Sequence, residues 1–202
     1  MVFIIATKNE KKLLELDRIL APLGIEAKTP GQLGIELEDV EETGETFEEN
    51  ALLKAQAACE ATGYPAVADD SGLMVDALGG APGIYSARYA GEGATDAQKI
   101  GKLLKAMVGV PQEERGAKFV SVVCCVFPDG SRLSVRGECL GTIGDSPRGE
   151  GGFGYDPVFV VKGGKSFAEL SKEEKDAVSH RGNALRKLAA QLPGFMKERG
   201  MK

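Results

Sequence analysis

Four of the helices that the sequence predicts begin with a capping box, in which a serine or threonine is followed three residues later by a glutamate or glutamine. These boxes start at Thr7, Thr46, Thr95 and Ser171. The first follows directly on the apolar run Val2–Ala6, which predicts a buried strand that leads into a helix. Strands and capped helices alternate before a β-rich middle and a helical end, so the chain is constrained to a mixed α/β sheet with helices on its faces.

The other boundaries come from turn residues and apolar runs. Pro22 and Gly24 end the first helix, and Pro128-Asp-Gly130 predicts the turn of a hairpin. A short buried strand over Ala66–Ala68 is expected to present Asp69 and Asp70 at its end. The remaining predicted elements are strands at Lys118–Phe127, Ser131–Leu140 and Asp156–Val161, a loop at Gly149–Gly154, and a helix at Val178–Leu192 before Pro193.

Composition excludes several classes of protein. The 202 residues suit a single domain, and the net charge of −5 argues against binding to a nucleic-acid backbone. No apolar run approaches the ~20 residues that span a bilayer, and the N-terminus lacks the features of a secretion signal. Four cysteines without a CxxC pair and a single histidine exclude a Cys/His zinc cluster. We therefore expect a cytoplasmic protein with reduced thiols, no nucleic-acid partner and no membrane partner.

The acidic residues are unevenly distributed. Eight acids and no lysine or arginine lie between Lys28 and Lys54, and Asp69-Asp70 follow a buried strand. Carboxylates at the carboxyl edge of a strand are suitable ligands for magnesium, which commonly uses one or two of them with phosphates and water. The alternative is that Asp70-Ser-Gly72 is a turn with an Asx cap. A phosphatase of the Asp-x-Asp type is excluded because position 71 is serine.

The junction between the first strand and helix, positions 7–12, suits phosphate, because a helix N-terminus presents unpaired backbone N–H groups and a partial positive charge. Lys8, Lys11 and Lys12 add three charges there. The alternative is an ordinary helix cap with solvated lysines. The segment is not a Walker A loop, since the glycines of that motif are missing.

Two further segments are candidates for recognition of a ligand. The Gly149–Asp156 loop lets the backbone approach a ligand and offers two aromatic faces, although it also fits a long hairpin loop with core aromatics. Lys175 and Ser179-His-Arg181 lie at a junction between helical segments. The arginine is suited to recognising a carbonyl or phosphate, whereas a lone histidine is more often structural.

Taken together, these motifs resemble those of the inosine triphosphate pyrophosphatase family, also called XTP/dITP diphosphatases, and they extend over essentially the whole chain. The matching motifs are Thr7-x-Asn9-x-x-Lys12, Glu42-Thr-Gly44-x-Thr46-Phe, Glu49-Asn-Ala-x-x-Lys54-Ala, Ala68-Asp-Asp-Ser-Gly-Leu73, Pro82-Gly-Ile-Tyr-Ser-Ala-Arg-Tyr89, Gly151-Gly-Phe-Gly-Tyr-Asp-Pro157, and Glu174-Lys175 with Ser179-His-Arg181. The resemblance implies an α/β fold with an elongated mixed β-sheet flanked by helices, in two lobes with a central cleft.

The resemblance also implies the roles of individual residues. Asp70 would be the catalytic base, and Glu42 with Asp70 would hold Mg²⁺. The residues implied for substrate binding are Thr7, Lys8, Asn9, Glu10, Lys11, Lys12, Lys54, Ser71, Phe153, Gly154, Tyr155, Asp156, Lys175, His180 and Arg181. Phe153 would stack on the purine, and donors such as Arg181 would favour a 6-keto base over adenine. Lys8 and Lys11 stand where family members often carry smaller residues.

The implied reaction is magnesium-dependent hydrolysis of dITP, ITP or XTP to the monophosphate and pyrophosphate, by a homodimer of one catalytic domain. Two alternatives remain open at this point. One is a pyrophosphatase for other modified nucleotides, such as pyrimidines. The other is a non-catalytic nucleotide sensor, which would have no use for two adjacent aspartates that serve as metal ligand and base.

Overall fold

The computed structural model describes residues 1–7, 10–37 and 40–200, and gives the backbone alone at positions 10, 11, 12, 15 and 19. Its six strands are β1 (Val2–Ile5), β2 (Glu26–Lys28), β3 (Ala66–Val75), β4 (Gly116–Val126), β5 (Arg132–Ile143) and β6 (Phe159–Val160). Its α-helices are α1 (Glu10–Leu20), α2 (Phe47–Thr62), α3 (Asp96–Ala106), α4 (Lys172–Val178) and α5 (His180–Glu198).

The strands form a six-stranded sheet in the order β2-β1-β3-β4-β5-β6. Strand β1 is parallel to both of its neighbours, β2 and β3, whereas β5 and β6 are antiparallel. Strands β4 and β5 form a hairpin, closed by a hydrogen bond from the Phe127 N–H to the Ser131 carbonyl at 2.9 Å. The sheet is mixed and flanked by helices, which confirms the predicted α/β class.

The chain divides into two compact units. The first unit comprises Met1–Asp70, Ser121–Gly137 and Ala184–Lys202, and the second comprises Ser71–Val120 and Glu138–Asn183. The core of the first unit contains Phe3 of β1, Leu188 of α5 and Phe127, which directly follows β4. The core of the second contains Leu103 of α3 and Phe167. Among the described helices, none is long and apolar enough to cross a membrane.

Capping chemistry explains where several helices begin. The side-chain oxygens of Thr46, Thr95 and Ser171 each accept a hydrogen bond from the backbone N–H three residues later, as a capping box requires. Three of the predicted boxes are therefore confirmed. The one at Thr7 stays a prediction, because positions 8 and 9 lie outside the described residues.

Three predicted boundaries are wrong. Strand β3 continues to Val75, so Asp69 and Asp70 lie within it rather than at its end or in a turn. Strand β6 is limited to Phe159–Val160, because Asp156 is engaged in a turn with Phe153. The last helix begins at His180 and continues through Pro193 to Glu198, since Phe195 and Met196 pack against the core beyond the proline.

Candidate functional site

Lys54 of α2 is held between two carboxylates of the first unit. Its Nζ lies 2.7 Å from Glu42 Oε1 and 3.1 Å from Asp70 Oδ1. Burial alone would lower the pKa of Lys54, but the charge of Asp70 and the hydrogen bond to Glu42 outweigh burial and raise this pKa above its ordinary value. The ammonium therefore stays charged and neutralises part of a concentrated negative charge, to which Asp69 also contributes.

The loop that carries Glu42 is held against α2. The Gly44 N–H donates to the buried Asn50 Oδ1 at 2.9 Å, and a Cβ on Gly44 would lie 2.7 Å from that same oxygen. Asn50 and Lys54 are four residues apart and so project from one face of the helix. Asn50 thus anchors the loop on the face from which Lys54 reaches Glu42. Sequence reasoning assigned no role to Asn50 or Gly44, although both belong to the matched motifs.

The register of the parallel strands brings the N-terminal loop towards the aspartates. Ile5 of β1 pairs with Val67 of β3, and the Ala6 N–H donates to the Val67 carbonyl at 2.9 Å. Thr7 and Asp69 each lie two residues beyond that pair, so the chain leaves β1 level with Asp69, which lies within β3. Lys8 and Asn9 lie outside the described residues, as do the side chains of Glu10, Lys11 and Lys12.

The carboxylates suit a hard divalent cation. The described residues contain no group of three or more metal-ligating side chains. Glu42 and Asp70, however, both contact the Lys54 ammonium, so the two carboxylates lie close to one positive charge. Magnesium commonly binds through one or two carboxylates when phosphates and water complete its coordination shell. The donor set therefore fits a metal that binds together with a phosphate ligand.

A second group of predicted residues surrounds Phe153 in the second unit. Lys175 Nζ lies 5.1 Å from the centre of the Phe153 ring, and the Arg181 guanidinium carbon lies 5.8 Å from it. Arg181 Nη2 also donates to Ser71 Oγ at 3.3 Å. Two cations beside one aromatic ring suit a flat ligand that stacks and accepts hydrogen bonds.

Asp156 fixes the turn that carries Phe153. Its Oδ2 accepts the Phe153 N–H at 2.8 Å and the Lys175 ammonium at 2.6 Å. The Tyr155 hydroxyl donates to the Ser86 carbonyl at 2.9 Å, and burial raises the pKa of Tyr155 well above its ordinary value. Tyr155 therefore supports the loop from inside as a neutral phenol.

The break between α4 and α5 places His180 and Arg181 in the first turn of α5. Ser179 adopts an extended conformation there, and its Oγ accepts the Gly182 N–H at 3.0 Å. A Cβ at Gly182 would lie 2.1 Å from the Asp176 carbonyl oxygen, so only glycine fits. His180 is buried, and its imidazole stacks on Phe119 with ring centres 4.7 Å apart.

The described structure thus brings Glu42, Lys54 and Asp70 together in the first unit. In the second unit it brings together Ser71, Phe153, Asp156, Lys175 and Arg181. Asp70 of the first group and Ser71 of the second group are consecutive residues and are joined by a peptide bond. The sequence-based roles of these residues stay predictions.

Comparison with known proteins identifies the family. The Ham1 family profile matches residues 3–191. The chain is 47% identical over 195 residues to a dITP/XTP pyrophosphatase of Symbiobacterium thermophilum, which covers 96% of each chain. It is 52% identical over 186 residues to a dITP/XTP pyrophosphatase of Yersinia pseudotuberculosis, covering 91% of this chain and 93% of the relative. The solved structure of a HAM1 protein from Coxiella burnetii superposes with a TM-score of 0.90 at 42% identity, covering 96% of this chain and 99% of that one. The chain belongs to the Ham1 family.

Proposed function

We propose that this protein hydrolyses the non-standard purine nucleoside triphosphates dITP, XTP and ITP to the monophosphate and pyrophosphate, and so removes them from the nucleotide pool. The observation that carries the proposal is Lys54, which Glu42 and Asp70 of β3 hold as a charged ammonium. Charged nitrogen and carboxylate oxygen at one place are what metal-assisted phosphate chemistry requires. The names of the relatives, dITP/XTP pyrophosphatase, support the substrate class.

Glu42 and Asp70 would hold the magnesium ion, together with the phosphates of the substrate. Magnesium, when bound, neutralises phosphate charge and orients the leaving pyrophosphate. Lys54 is already beside both carboxylates, and a long lysine side chain can turn from them towards a phosphate oxygen. Thr7 and the segment from Lys8 to Lys12, which follows β1 in the chain, would contact the rest of the triphosphate.

Asp70 would act as the general base for the attacking water. The water oxygen forms a bond to the α-phosphorus while its proton passes to the Asp70 carboxylate. The bond between the α-phosphorus and its bridging oxygen to the β-phosphorus breaks, and pyrophosphate leaves with that electron pair. Asp70 then releases the proton to solvent, so the enzyme is regenerated.

Phe153 would stack on the purine, while Arg181 and Lys175 would donate hydrogen bonds to it. Hypoxanthine and xanthine carry a 6-keto oxygen, which accepts where the amino group of adenine would donate. Adenine would leave buried donors unpaired, at a cost of about 1–3 kcal/mol for each. His180, Tyr155, Asp156 and Gly154 would complete and support this pocket.

We also propose that the protein acts in the cytoplasm. All four cysteines are free and buried, and thiols stay reduced in that compartment. The homodimer and the single catalytic domain expected from the resemblance stay predictions. Sedimentation equilibrium tests the first, and limited proteolysis in the presence of substrate tests the second.

A panel of triphosphates with a pyrophosphate readout, run with magnesium and with chelator, tests the function. We expect release of pyrophosphate from dITP, XTP and ITP with magnesium, little from the four standard deoxynucleotides, and none with chelator. A preference for a modified pyrimidine would show a different pyrophosphatase. Binding of ITP without release of pyrophosphate would show a sensor.

A further inference from the structure

The turn that carries Phe153 is held from outside by a residue that belongs to none of the matched motifs. Asp96, the first residue of α3, accepts a hydrogen bond through Oδ2 from the backbone N–H of Gly154 at 2.6 Å. The two residues are 58 positions apart in the chain and lie in the same unit. Because the acceptor is a carboxylate, this bond is charge-assisted, and such bonds are about twice as strong as neutral ones.

The Asp96 carboxylate is itself fixed on its other side. Oδ1 lies 2.7 Å from Lys99 Nζ, one turn along α3, and the Lys99 side chain is only 13% exposed. Thr95 caps the same helix through the N–H of Gln98. The carboxylate is therefore presented to Gly154 from a capped helix, with its second oxygen already paired.

The turn at Phe153 thus has two carboxylate anchors. Asp156, inside the turn, accepts the Phe153 N–H, and Asp96 accepts the next N–H along the chain. Gly154 has φ +63°, a conformation that glycine adopts without strain. With both N–H groups engaged, the backbone at Phe153 has little freedom to rotate.

We propose that Asp96 is a positioning residue for purine recognition. It holds Gly154 so that the Phe153 ring keeps its place beside Lys175 and Arg181, at 5.1 Å and 5.8 Å. The inference rests on the proposed function, because it assigns the base of the same substrate to Phe153. The Gly154 N–H does not donate to the purine base, because it donates to Asp96.

The test compares Asp96→Ala with Asp96→Asn and Thr95→Ala. For Asp96→Ala we expect KM for dITP to rise about tenfold with kcat within about twofold of wild type, because the binding of the base is impaired and the chemistry is not. Asp96→Asn keeps an acceptor oxygen and should restore most of the loss. Thr95→Ala weakens the cap of the same helix without touching Gly154, and should leave KM unchanged. Inorganic triphosphate, which has no base, should inhibit wild type and Asp96→Ala with equal potency.

Hydrogen exchange without nucleotide provides a second readout. The amides of segment 149–156 should exchange faster in Asp96→Ala and at the wild-type rate in Thr95→Ala. If wild type is active, an unchanged KM in Asp96→Ala refutes this inference alone. The same rise of KM in Thr95→Ala would also refute it. A wild-type protein that does not cleave dITP refutes the proposed function, and the base-positioning role of Asp96 with it.

Discussion

Replacement of Lys54 by methionine tests whether the Lys54 ammonium neutralises the charge of the two carboxylates of the first unit. Lys54→Met keeps an unbranched side chain, one atom shorter, but removes the charge that lies 2.7 Å from Glu42 and 3.1 Å from Asp70. The three side chains are only 18%, 25% and 10% exposed, so water screens them weakly. Removing one partner of a buried ion pair costs about 3–5 kcal/mol, because a charge is left uncompensated. Glu42 keeps some contact with water, so we expect a loss of about 3 kcal/mol.

The assay is urea unfolding of wild type and Lys54→Met, first with chelator and then with magnesium. A divalent cation can replace the missing charge, and a ligand at about 100 times its Kd stabilises a protein by about 2.7 kcal/mol. Magnesium should therefore stabilise Lys54→Met more than wild type, in which the ammonium competes for the same oxygens. We expect the stability gap between the two proteins to narrow by at least ~1 kcal/mol.

Lys118→Met provides a matched control. Lys118 Nζ lies 3.3 Å from Glu138 Oε1, but both side chains are about one third exposed. Such pairs contribute about 0–1 kcal/mol, so the free energy of unfolding of this variant should fall by less than about 1 kcal/mol, with or without magnesium. The account of the carboxylate pair is refuted if Lys54→Met loses no more stability than the control, or if magnesium stabilises both variants equally.

Three further predictions concern the base, the purine site and the thiols. Asp70→Asn should lower kcat on dITP by ~10² or more, measured as pyrophosphate release, and near wild-type turnover would remove Asp70 from the role of base. Arg181→Ala should lower the preference in kcat/KM for dITP over dATP by about tenfold, and an unchanged ratio would exclude Arg181 from base recognition. Burial raises the pKa of Cys124 and Cys139 to about 11, so both thiols should resist iodoacetamide at pH 8 in the folded protein and react in urea. Mass spectrometry would detect the label, and rapid labelling of the folded protein would contradict this prediction. Because these pKa values are raised on folding, burial of the thiols stabilises the protein below pH ~8.5, and this contribution is lost as the pH rises towards 11.

Local chemistry made most helices predictable from the sequence. A capping box needs only residues three apart, so Thr46, Thr95 and Ser171 locate their helices without knowledge of the rest of the chain. Two further boxes, at Thr29 and Ser166, start short 3₁₀ turns instead, which shows that the pattern marks a start but not a length. Strand β2 was not predicted, because three residues are too few for a period to appear.

Long-range partners limited what could be predicted of the site. A run of acids after an apolar strand suggests a strand end, but β3 continues through Asp69 and Asp70 and pairs with β4, while Lys54 beside Asp70 offsets part of their charge. The Asn50 anchor for Gly44 and the Asp96 anchor for Gly154 are likewise contacts between separate segments. Motif recognition selected the residues that are predicted to touch a ligand, whereas the contacts that support them became visible only in the structure.

Hydrolysis of dITP in water enriched in oxygen-18 is the most direct test of the proposed reaction. If Asp70 directs water to the α-phosphorus, the products are deoxyinosine monophosphate and pyrophosphate, and the label appears in the monophosphate alone. Label in the pyrophosphate would place the attack on the β-phosphorus. Release of orthophosphate with a nucleoside diphosphate, or no product at all, would contradict the proposed function itself.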